Sequence, residues 1–184
     1  MRACPQAPGV SVLDHGHQVY AAFQALSDAL ASGKLPAGWA LPDWFTPAIG
    51  QALLGRTPCA ETMRQYLVYH DCGKPYCLTV DEQGRRHFEG HAQWSKRIWL
   101  QHGGGAEAGR LMGEDMDIHC LKACDLPEFA QRPTAPALLL AGIAEIHANA
   151  AMFGGQDSVS FKAKQKHWDR RGRALLKIWG LLPP

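Results

Sequence analysis

The chain has 184 residues, 46% hydrophobic and 20% charged, with a formal net charge of +2. That length suits a single domain with a core large enough to fold without staples. A net charge this small gives no ground for nucleic-acid binding, and no apolar run is long enough to span a bilayer.

The first ten residues, MRACPQAPGV, lack the apolar core of a signal peptide and read as a loose N-terminal arm. With six cysteines scattered and none in a CxxC pair, the chain is expected to be cytoplasmic, with reduced thiols. Helical periodicity starts near Val12, where Val12, Val19, Tyr20, Phe23, Leu26 and Leu30 share a face, and Gly33 is a plausible stop. His15 and His17 lie in its first half. They are two residues apart, so only one faces the core easily.

Residues 34–59 are rich in Pro, Gly and Trp and read as a loop, with a short helix at Pro47–Leu54. Trp39, Trp44 and Phe45 are either packed on the core or an aromatic wall over a substrate. A helix then starts at Thr57 or Cys59 and stops at Gly73-Lys74-Pro75, directly after His70-Asp71. Leu78–Phe88 reads as a small excursion with Asp81-Glu82-Gln83-Gly84 as its turn. Helices are predicted from Gly90 to Gln101 and from Ala106 to Met112, and a further segment, Asp115–Cys124, carries His119. A proline-punctuated loop follows. Ala137–Met152 is a buried apolar helix. Residues 156–184 form a basic C-terminal helix, helical from about Ser160 to Leu181, which reads as a solvated face.

The chemistry centres on residues 69–91, YHDCGKPYCLTVDEQGRRHFEGH. An adjacent imidazole and carboxylate, His70 and Asp71, are a compact offer of nitrogen and oxygen ligands to a divalent metal. His15, His91, His119 and His147 sit at or near helix positions able to join them. Such a set suits Mn, Zn, Fe, Co or Ni better than Ca.

The run His-Asp-Cys-Gly-Lys-Pro, an acidic-Gly turn, then Phe88-x-Gly90-His91, resembles the HD-domain superfamily of metal-dependent phosphohydrolases. It is especially similar to the HD domain attached to tRNA nucleotidyltransferases and poly(A)-polymerase-like proteins. The resemblance implies an all-α, HD-like helical bundle over residues 1–184, here with a Pro/Trp-rich loop insertion and a small hairpin. It also implies a metal between a His of the first helix, the His-Asp pair and an Asp of a late helix.

The first His is matched by His15, with His17 as the alternative; the pair is His70 and Asp71. His91 and His119 match positions that bind a second metal in some members, giving one or two ions. The late helix reads Ala-Glu-Ile-His-Ala-Asn-Ala, with His147 where the family places Asp; Asp125 is the other candidate.

The expected activity is hydrolysis of a phosphate ester on a small substrate, a nucleotide as first choice. Asp71 orients the attacking water and Lys74 places a cation near phosphate. Two rival expectations are a di-iron oxygenase of the same superfamily and an inactive nucleotide-binding module. Neither a membrane nor a nucleic acid is an expected partner.

Overall fold

The computed structural model describes residues 1–183. A two-stranded hairpin, β1 (Pro5–Ala7) and β2 (Val10–Ser11), precedes α1 (Val12–Ala31), α2 (Pro47–Leu54), α3 (Ala60–Tyr69) and the single turn α4 (Lys74–Cys77). A second hairpin, β3 (Thr79–Val80) and β4 (Arg86–His87), leads to α5 (His91–Gln101), α6 (Ala106–Glu114) and α7 (Asp117–Cys120). The chain continues through α8 (Leu126–Ala130), α9 (Ala135–Ala148), a 3₁₀ turn at Ala150–Phe153, and α10 (Val159–Ile178). The fold is therefore all-helical, as expected, with two antiparallel hairpins as its sheet. Among the described residues no helix is long and apolar enough to cross a membrane.

The chain forms two compact units. The first comprises Met1–Tyr20 and Pro58–His119, the second Ala21–Thr57 and Cys120–Pro184. The division falls inside α1.

In the first unit α1 begins with a reciprocal cap. The Ser11 N–H donates to Asp14 Oδ2 at 3.1 Å, and the Asp14 N–H donates to Ser11 Oγ at 3.1 Å, satisfying donors that a helix start leaves orphaned. Met63, Tyr66, Leu67 and Val68 of α3 pack inward, as do Leu111 and Met112 of α6. The N-terminal segment differs from the loose arm expected. Pro5 pairs with Ser11, the Val12 N–H donates to Cys4 O at 2.8 Å, and the Arg86 guanidinium donates to Pro5 O. Burial of Cys4 holds it in place. The second hairpin is as expected: the Asp81 carboxylate accepts from the N–H groups of Gln83 and Arg85 at 3.0 and 2.8 Å, and so ties its own turn.

In the second unit α9 is buried at every position from Ala135 to Ala144, which explains its apolar surface on all sides. Helix α10 buries Phe161, Trp168, Leu175 and Leu176 and turns its charges out. Trp44 and Phe45 are core residues, 3% and 1% exposed. The Trp44 indole N–H donates to Asp169 Oδ1 at 2.8 Å, and its ring rests against Gly172. The segment Asp115–Cys124 holds the single-turn α7. Pro127 and Pro136 stand in the first turns of α8 and α9, where a missing N–H costs nothing. These prolines begin helices in a stretch expected to be loop.

Candidate metal centre

Three imidazoles of the first unit face one carboxylate. Asp71 Oδ2 lies 3.3 Å from His70 Nε2 and 3.8 Å from His15 Nε2, and its Oδ1 lies 3.5 Å from His91 Nε2. The rings of His15 and His70 meet edge to face, with centroids 5.3 Å apart. His15, His70 and Asp71 are 0%, 3% and 2% exposed. His17, the alternative first histidine, is exposed on the other side of α1.

Local backbone chemistry places these groups. Helix α3 ends at Tyr69, so His70 and Asp71 occupy the turn beyond it. Two glycines then let the elements close in. A Cβ on Gly16, next to His15, would stand 2.1 Å from Val68 O, and one on Gly73 would stand 2.3 Å from Ser95 N. Only a residue without a side chain permits α1 to meet α3, and the His-Asp turn to meet α5, at those points. The Gly73 N–H donates to Ser95 Oγ at 2.9 Å and so locks the turn. Gly73-Lys74-Pro75 also does more than stop α3: Lys74 and Pro75 open α4.

The tautomers follow from the partners. Nδ1 of His70 lies 2.8 Å from Leu67 O, and Nδ1 of His91 lies 2.9 Å from Phe88 O. A carbonyl oxygen only accepts, so both Nδ1 atoms carry hydrogen. Each Nε2 is the ring atom turned to Asp71. An imidazole fixed through its second nitrogen is the usual arrangement behind a metal ligand.

Asp71 is held ionised. Burial pushes its carboxyl up, but the adjacent His70 ring and the Lys74 ammonium outweigh that and hold it below the usual carboxylate range. Lys74 is itself 8% exposed. It donates to Asp71 Oδ2 at 2.6 Å and to the Gln6 side-chain oxygen at 2.9 Å, and lies 5.3 Å from the centre of the Phe88 ring. Of its three N–H groups, two are engaged. Behind His70, the buried Tyr66 hydroxyl donates to Asp115. The donor set, three imidazole nitrogens around an ionised and buried carboxylate, fits a divalent transition metal.

A cleft of about 460 Å³ adjoins the cluster, lined by Phe88, Glu89, His91, Gln93, Met116 and Asp117 among others. That volume is in the range of small-molecule sites. His91 belongs to both: its Nε2 faces Asp71 and its ring lines the cleft.

His119 is half-buried on α7. His147, on α9 of the second unit, is stacked on Trp39 with centroids 4.1 Å apart and meets Phe161 edge to face. Its Nδ1 lies 2.7 Å from Ile143 O, and its Nε2 is buried. Burial pushes this imidazole below its usual range. Asp125 is exposed and accepts from the Lys122 N–H at 3.3 Å. Sequence reasoning missed Gln6, Ser95 and the Tyr66–Asp115 pair. The serine is visible only as the one small polar residue of α5, and Gln6 carries no local signal.

No family model matches the chain, and neither a curated protein nor a solved structure matches it. The functional assignment therefore stands on these residues.

Proposed function

We propose that the His15, His70, Asp71 and His91 cluster is the metal centre of a metal-dependent phosphohydrolase of the HD type, acting on a small phosphate ester such as a nucleotide. The observation that carries this reading is the convergence of three Nε2 atoms on one buried carboxylate, two of them with Nδ1 tied to a backbone carbonyl. Bound there, a divalent ion supplies Lewis acidity to a phosphoryl oxygen and acidifies water.

The residues of the chain set up the rest. His15, His70, Asp71 and His91 would hold the ion. Asp71, kept ionised, has an oxygen with which to accept a hydrogen bond from the attacking water and orient it. Lys74 keeps one N–H for a phosphate oxygen while Asp71 and Gln6 fix the other two. The cleft beside His91 would receive the organic part of the ester, with Phe88 as an apolar wall. On the resemblance, a late residue adds a further ligand, with His147 and Asp125 as the candidates, and metal content of His147→Ala and Asp125→Ala decides between them.

The test is direct. Protein stripped with EDTA and reloaded with Mn or Co is screened against nucleotides and a generic phosphodiester, beside His70→Ala and Asp71→Ala. Metal-dependent release of phosphate by wild type alone is the expected result. Equal and negligible turnover by all three, under every metal, removes the enzymatic reading.

A further inference from the structure

Helix α10 carries seven Lys and Arg residues against one Asp, and its charges are not spread evenly. At about 100° per residue, Lys162, Lys166, Arg170, Arg173 and Lys177 fall within an arc of about 80°. They run along about 22 Å of the helix axis. Four of the five are exposed and Arg173 is half-buried.

Their acidic neighbours neutralise only two members of the set. Lys162 pairs with Asp157 at 3.5 Å, and Arg173 with Asp43 at 2.6 Å and Asp169 at 3.4 Å. Among the described residues Lys166, Arg170 and Lys177 make no ion pair. The opposite face of α10 is anchored by Phe161, Trp168, Leu175 and Leu176, all 2% exposed or less. The stripe is thus displayed outward on a rigid support.

We propose that this stripe docks the phosphate backbone of a nucleic-acid duplex, without reading its bases. The charge is linear, and its Lys162–Lys166–Arg170 step is about 6 Å along the axis, suited to a polyanion with closely spaced phosphates. No aromatic side chain stands among the five positions, so the surface lacks the stacking platform that single strands use. A bilayer is disfavoured because the apolar face that would enter it is already buried in the unit. The net charge of the whole chain conceals this surface, because acidic residues elsewhere balance it.

The probe is a fluorescein-labelled DNA duplex of about twenty base pairs, titrated with full-length protein in EDTA and followed by anisotropy. With three unpaired cations engaged, affinity falls about 40-fold between 50 and 200 mM salt. The variant Lys166→Gln/Arg170→Gln/Lys177→Gln loses at least tenfold at 50 mM salt and most of the salt dependence, while its circular dichroism and melting temperature stay at wild-type values. The charge-conserving Lys166→Arg/Lys177→Arg retains binding, which separates lost charge from lost fold. Equal affinity of wild type and the triple variant overturns the proposal. So does tighter binding of the matching single strand, or of phosphatidylserine vesicles, than of the duplex. Because EDTA is present throughout, the result is independent of the metal centre.

Discussion

The Lys74 ammonium stands 2.6 Å from Oδ2 of Asp71, the oxygen that also faces His70 at 3.3 Å and His15 at 3.8 Å. The lysine is therefore the internal counter-cation of the proposed metal site. Lys74→Met leaves a buried carboxylate without it, which costs about 3–5 kcal/mol. A divalent ion at Asp71 replaces part of the lost charge. Denaturant unfolding should show the full loss in EDTA and a smaller one with Mn or Co. The same loss under both conditions would mean that no cation binds at Asp71.

His15 and His17 separate cleanly. His15 is buried beside Asp71 and His70, whereas His17 is exposed. Elemental analysis should find His15→Ala depleted of metal by more than the roughly 10–100-fold drop in affinity that loss of an outer-shell partner produces. His17→Ala should keep wild-type content. A depleted His17→Ala would reassign the first ligand.

Gly16 and Gly73 hold the site together by what they lack. A methyl group at either would meet backbone atoms at 2.1 or 2.3 Å. Backbone cannot step aside as a side chain can, so α1 must move off α3, or the His-Asp turn off α5. Gly16→Ala and Gly73→Ala should each destabilise by about 1–3 kcal/mol and weaken metal binding together with stability. Gly55→Ala is the control. Its nearest atom is 3.5 Å away and its φ is −64°, so it should be neutral or stabilise by about 0.4–1 kcal/mol. Calorimetric metal titration of the three variants distinguishes these outcomes.

What was legible in the sequence is what local chemistry decides. The second hairpin was readable because Asp81 closes its own turn, and α2 because Thr46 and Pro47 are a cap and a first-turn residue side by side. The pairing of His70 with Asp71 needed no fold to be seen. Contacts between distant segments were not readable. Gln6 reaches Lys74 across 68 positions, and Trp44 reaches Asp169 across 125. Composition marked both stretches as loop, although tertiary burial fixes them. Pro127 misled for a different reason: the same residue breaks a helix interior and opens a helix start, and its neighbours do not tell which.

His147 predicts a dependence on pH. Burial between Trp39 and Phe161 lowers its pKa in the folded protein, while the unfolded chain takes up the proton near the ordinary value of about 6.5. Below that value the unfolded state binds a proton that the folded state refuses, so stability rises with pH across the interval. The contribution is fully present above about pH 6.5 and is lost as the pH falls toward the lower folded value. His147→Phe keeps a ring against Trp39 and removes the titration. Urea unfolding of metal-free protein at pH 7.5, 6.5 and 5.5 should show a smaller loss of stability for the variant than for wild type. Carboxylates contribute equally to both proteins, so the difference isolates His147. Identical slopes would show that its ring is already open to protons in the folded state.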